Sequence, residues 1–138
     1  MKLASSRLLT HVNHDKGDIF HFLKSSDDEY SGFGEIYFSA VNQGATKGWK
    51  MHSRMTCNLC VVTGLVEFNL YSDCISESIS VTSISSSSPK RVLLTIPPNV
   101  WFSFTGLEDS IIANLANIPH DPLEATSKPL TCFPPFAK

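Results

Sequence analysis

The chain has 138 residues, of which 42% are apolar and only 17% charged, with a net charge of −2. That length gives one domain that can bury a core without staples. The near-neutral balance and the lack of a basic run exclude tracking of a nucleic-acid backbone. No apolar run nears the roughly 18 residues of a membrane span.

In chain order, residues 1–16 read as an N-terminal arm. No signal-peptide apolar region precedes the polar stretch 11–18, so a cytoplasmic protein is expected, with Cys57, Cys60, Cys74 and Cys132 as free thiols. His11, His14 and His21 lack ligand spacing and belong to the surface. Helical periodicity is almost absent. Short runs rich in Val, Ile, Phe and Tyr, separated by Gly, Asn, Asp and Ser-Pro signals, predict strands at 19–23, 35–41, 48–54, 58–62, 65–71, 75–82, 92–96, 101–105 and 111–115. The triplet Asp27-Asp28-Glu29 is a solvated acidic turn, and the serine-rich stretch 83–90 is a polar hairpin loop. Nine strands in residues 17–125 suit an all-β, double-sheet jelly roll. The tail, 126–138, carries Pro129, Pro134 and Pro135 and cannot form a central strand. Its Leu130, Phe133 and Phe136 should pack across the barrel or a neighbouring subunit. The low charge also predicts covered surface, and a homodimer is expected.

The segment 44–64 concentrates the functional signal. Gly44 is followed after five residues by Lys50-Met51-His52, then by Cys57 and Gly64. Strand alternation puts Lys50, His52 and Arg54 on one face and Trp49, Met51 and Ser53 on the other. Cys57 and Cys60 sit within an alternating apolar run, with no second Cys/His pair at zinc spacing, so both are expected to be buried strand residues. Downstream, Leu94-Thr-Ile-Pro-Pro-Asn-Val-Trp-Phe-Ser-Phe104 reads as a turn into a strand, with Asn99 at a position that accepts positive φ.

The two segments resemble the paired signatures of the cupin barrels (double-stranded β-helices), with Lys50, Cys57, Phe102 and His52 in the four ligand slots. One ligand of four does not make a metal site, so no metal and no cofactor is expected. In a cupin this face points inward. Lys50 would then project into the barrel and favour an anionic ligand, or else snorkel to solvent at the strand end.

Within the cupins, Thr46-Lys-Gly-Trp-Lys-Met-His52 and Ile96-Pro-Pro-Asn-Val-Trp-Phe-Ser-Phe104 are similar to motifs of the dTDP-4-dehydrorhamnose 3,5-epimerases. Gly17-Asp-Ile-Phe-His-Phe22 and the tract from Ala113 to Glu124 extend the likeness, and the sugar 3,4-ketoisomerases share the pattern around Lys47 to His52. The resemblance implies a dimer with exchanged N-terminal strands. It also implies a metal-free isomerase or epimerase acting on a nucleotide-linked, dTDP-type 4-keto-6-deoxy sugar through an enolate. The phosphate-binding arginine of the motif maps onto Lys47 and the epimerase histidine onto Lys50. The second ketoisomerase histidine maps onto His52, and a ketoisomerase tyrosine onto Tyr37. The epimerase tyrosine falls near Ile118 and Pro119, where none exists; His120 replaces it as acid or simply closes a turn. Asp121 orients a histidine or ends the strand. The expected catalytic set is therefore His52, Lys50, Tyr37 and His120, and the substrate-binding set Lys47, Arg54, Asn58 and Trp101. The alternative is a sugar-nucleotide or carbohydrate-binding cupin that has lost its chemistry.

Overall fold

The structure, a computed structural model, describes residues 2–84 and 91–137. The strands are β1 (Ser5–Leu8), β2 (Thr10–Val12), β3 (Ile19–His21), β4 (Glu35–Val41), β5 (Thr46–His52) and β6 (Cys57–Thr63). They continue with β7 (Leu65–Ser72), β8 (Ile75–Thr82), β9 (Val92–Ile96), β10 (Trp101–Gly106), β11 (Ser110–Ala116) and β12 (Ala125–Ser127). One sheet has the order β1-β9-β6-β11-β4 and the other β12-β5-β10-β7-β8, with β2-β3 as a separate hairpin. All named pairings are antiparallel. This is the expected all-β jelly roll, and each of the nine anticipated strands is present.

Alternation explains which side chains meet between the sheets. Leu59 and Val61 of β6, Leu94 and Ile96 of β9 and Ile112 of β11 face Val66, Phe68 and Leu70 of β7 and Val81 of β8 in one buried cluster. Burying such side chains is the main stabilising term, at roughly 1.5–3 kcal/mol each. Cys57 belongs to this cluster. Cys60, three residues on, points to the other side of β6 and joins Leu9 and Leu93, with Phe20 and Phe22 packed above. Both cysteines are buried and free, as expected. Burial pushes the Cys57 thiol up to about 12 and that of Cys60 up to about 11, so neither is a nucleophile near neutral pH.

Turns follow their sequences. Asp73 and Cys74 both take positive φ (48° and 65°) in the two-residue connection between β7 and β8, which matches the twist of the hairpin. Asn99 adopts φ 68° ahead of β10, and its amide donates to the His52 carbonyl at 2.8 Å.

The tail packs across the outer face of the second sheet. Trp49 Nε1 donates to the Leu130 carbonyl at 2.9 Å, and Phe133 lies against Trp49, Tyr71 and Trp101. Ahead of that cover, β12 pairs with β5 as an edge strand, short and polar enough to leave no hydrophobic pattern in the sequence. Asp27 and Glu29 are not merely solvated: both pair with Arg7, at 3.1 and 2.9 Å. Positions 85–90 of the anticipated serine-rich loop lie outside the described residues.

Candidate active site

A cavity of about 270 Å³ opens between the sheets where β4, β5 and β10 converge. Tyr37, Ser39, Lys47, Lys50, His52 and Ser127 supply its polar lining, and Phe102 and Phe104 its apolar wall. Glu35, Tyr37, Lys50 and His120 line an adjoining hollow of about 370 Å³. The main cavity is thus lined by neutral and cationizable groups, which suits an anionic ligand.

A bulge in β5 places Lys47 on the cavity side. Lys50 lies opposite Phe102 and Lys47 opposite Phe104, with a register shift between Phe102 and Ser103. Uninterrupted alternation would put residues three apart on opposite faces; the bulge adds one residue and brings Lys47, Lys50 and His52 together. Gly48 makes this possible. Its φ is +123°, and a Cβ there would lie 2.7 Å from the Cα and Cβ of Ser103. The peptide from Gly48 to Trp49 is cis.

His52 is buried at 4% exposure. Its Nδ1 lies 2.6 Å from Glu124 Oε1, and the ring stacks on Phe102 with centroids 5.9 Å apart. The carboxylate is itself buried, and its Oε2 accepts the amides of Arg54 and Met55 at 2.8 and 2.9 Å. Burial raises the Glu124 carboxyl, but the hydrogen bonds from His52 and the two amides outweigh it and hold the group at about 2. The other ring nitrogen, Nε2, is buried without a hydrogen-bond partner among the described residues. A carboxylate on Nδ1 fixes the tautomer: in the uncharged ring the proton sits on Nδ1 and the lone pair on Nε2. The imidazole is set as a proton acceptor.

Tyr37 faces the same space from β4. Burial raises its phenol above the usual range, partly offset by a hydrogen bond from Asn114. Its hydroxyl oxygen accepts Asn114 Nδ2 at 2.9 Å.

The cavity and its mouth therefore unite His52, Lys50, Tyr37, His120 and Lys47, while three other expected site residues lie elsewhere. Asn58 is buried on the opposite side of β6, where its amide donates to the Glu29 carbonyl at 3.2 Å and accepts from Thr95 at 2.7 Å. Trp101 sits on the outer face of β10, against Phe133 and under the Lys128 ammonium 5.0 Å from its ring. Arg54 falls beyond the end of β5 and pairs in solvent with Asp121 at 3.3 Å. Asp121 closes its own turn by accepting the Leu123 amide at 3.0 Å. The carboxylate that holds the histidine is Glu124, which sequence reasoning missed. Local hydropathy points the wrong way at this pair, since Leu123 is 94% exposed and Glu124 only 4%. His120 donates its backbone amide to Glu35 at 2.9 Å and lines the adjoining hollow.

No family profile matches the chain, and no curated protein matches it. Solved structures do. A dTDP sugar isomerase from Desulfovibrio desulfuricans G20 is 32% identical, over 94% of this chain and 85% of that one, with a TM-score of 0.80. The sugar 3,4-ketoisomerase QdtA of Thermoanaerobacterium thermosaccharolyticum, solved with TDP, is 17% identical over 90% and 87% of the two chains, with a TM-score of 0.77. The RmlC epimerase of Mycobacterium tuberculosis is 14% identical over 94% and 70%, with a TM-score of 0.80.

Proposed function

The chain belongs to the cupin-like family of dTDP-sugar isomerases and epimerases, and we propose that it isomerises or epimerises a nucleotide-linked 4-keto-6-deoxy sugar by metal-free proton transfer. The buried His52–Glu124 pair, on a ring that lines the cavity and whose Nε2 has no partner among the described residues, carries this reading. His52 Nε2 takes the proton from the carbon beside the C4 ketone, and the C–H electron pair moves into the new carbon–carbon double bond. The carbonyl oxygen takes up the charge as an enolate. Lys50, on the same face, stabilises that oxygen. A proton then returns to the opposite face, which gives an epimer; alternatively the C3 hydroxyl proton passes to the C4 oxygen and a proton is added at C4, which moves the ketone to C3. Tyr37 and His120 are the proton donors on the β4 side, and Lys47 holds the diphosphate as a point charge rather than a bidentate fork.

The dTDP-type nucleotide sugar is part of this proposal, supported by QdtA having been solved with TDP. So is a two-fold homodimer, for which the exposed apolar face of β4 and β11 speaks. The four free thiols suit a reducing, cytoplasmic compartment.

Incubation with dTDP-4-keto-6-deoxyglucose in deuterated water, followed by NMR, tests the reading. Deuterium should enter at C3, and for an epimerase of both centres also at C5. Tight nucleotide binding with no exchange would replace the enzyme with a sugar-nucleotide-binding cupin.

A further inference from the structure

A carboxamide buried in an apolar interior is costly unless both its ends are satisfied. Asn114, in the middle of β11, is 2% exposed. It points between the sheets beside Leu59, Phe68 and Ile112, directly across from Tyr37 in the β11–β4 ladder. Its Oδ1 accepts the backbone amide of Asn58 at 3.1 Å, and its Nδ2 donates to the Tyr37 hydroxyl oxygen at 2.9 Å. The first contact decides the second. A backbone N–H can only donate, so the carboxamide oxygen must face Asn58 and the NH₂ group must face the tyrosine.

The tyrosine oxygen thus receives a hydrogen bond and keeps its own proton to donate. We propose that Asn114 is a positioning residue of this site, which holds Tyr37 as a hydrogen-bond donor toward a substrate oxygen while His52 faces the same cavity as an acceptor. A carbon acid next to a ketone needs this polarity: a lone pair at the C–H and a donor at the carbonyl or neighbouring hydroxyl oxygen. Two buried side chains on different elements, Glu124 behind His52 and Asn114 behind Tyr37, give the two groups opposite senses. The choice of substrate rests on the isomerase reading; the hydrogen-bond polarity rests on the protein alone.

Asn114→Asp reverses the polarity, because a carboxylate still accepts the Asn58 amide but also accepts the tyrosine proton. Asn114→Ala removes the donor without adding charge and serves if the Asp variant does not fold. The Tyr37 phenol is followed by ¹³Cζ-tyrosine NMR titration, with Tyr37→Phe assigning its signal against Tyr30 and Tyr71. Loss of the Asn114 donor should raise its titration by roughly one pH unit. In the exchange assay, kcat should fall roughly 10-fold or more with KM little changed. The same substitution in a Tyr37→Phe background should cost nothing further. An unmoved Tyr37 titration in both variants overturns the polarity. An equal loss of kcat with and without the tyrosine hydroxyl makes Asn114 a packing residue and overturns the positioning role. If the wild type exchanges no deuterium yet Tyr37 titrates as expected, it is the isomerase reading that fails, and the hydrogen-bond polarity stands.

Discussion

Asn in place of His52 keeps a polar side chain beside Glu124 but removes the acceptor nitrogen from the cavity. His52→Asn should therefore lower the exchange rate by roughly 100-fold or more, the scale for losing a general base, with nucleotide affinity nearly unchanged. Lys47→Ala should do the reverse, weakening nucleotide binding with little effect on the chemical step. Full activity of His52→Asn on a substrate the wild type turns over would pass the base role to Lys50 or His120. Glu124 adds a prediction about pH. Its carboxyl titrates at about 2 in the fold, against an ordinary 4.5. A depressed folded value contributes stability that is complete above the unfolded value and is lost as pH falls through the folded one. This window runs from about 4.5 down to about 2, and the contribution is roughly 3 kcal/mol. In urea titrations, Glu124→Gln should be less stable than wild type at neutral pH, and the gap should close across that window. A gap independent of pH would mean that the carboxylate charge contributes nothing.

Among the elements, long alternating strands were legible and short polar ones were not. The strands Glu35–Val41, Ile75–Thr82 and Val92–Ile96 have the bounds their patterns predict. Ser5–Leu8, Thr10–Val12 and Ala125–Ser127 are mostly exposed and show no periodicity, so only pairing with a neighbour makes them strands. The site divides the same way. Lys50 and His52, on a regular part of their strand, were put on one face by alternation, and Tyr37 came from the family resemblance, whereas the partners that orient them come from distant segments. Glu124 reaches His52 across 72 positions and Asn114 reaches Tyr37 across 77, a closeness that local pattern does not carry. The bulge at Gly48 is the sharpest case, since period-two reasoning puts Lys47 on the wrong face. Gly48→Ala would force a methyl into the Ser103 backbone, so β5 and β10 must separate or the bulge must move. The expected cost is roughly 3 kcal/mol, and nucleotide affinity should fall with it because Lys47 leaves the cavity face. A variant that melts and binds like wild type would show that the bulge does not set the position of Lys47.

At the scale of the whole molecule, the outer face of the first sheet is unevenly covered. Over β6 and β9 the hairpin carrying Phe20 and the following Phe22 packs against Leu9, Cys60 and Leu93. Over β4 and the start of β11 the face is exposed: Ile36 is 47% exposed, Phe38 67% and Ile111 40%. β4 is also the edge of its sheet. It has no proline or lysine, and its one charged residue, Glu35, points to the cavity side. Soluble proteins blunt a long apolar edge with charge, proline or a bulge, or they cover it. With no proline, lysine or bulge in Glu35–Val41 and its single charge at the strand's first residue, cover by a second copy is the consistent solution, and a two-fold axis would set each apolar face against its equivalent. Light scattering at micromolar concentration should therefore give a dimer. Phe38→Glu buries a charge at that contact and should weaken association by at least about 2 kcal/mol, roughly thirtyfold in Kd. The fold and the acceptor geometry of His52 should remain intact, because Phe38 points away from the cavity. A wild-type monomer would refute the dimer, and a Phe38→Glu dimer of wild-type affinity would move the contact to another face.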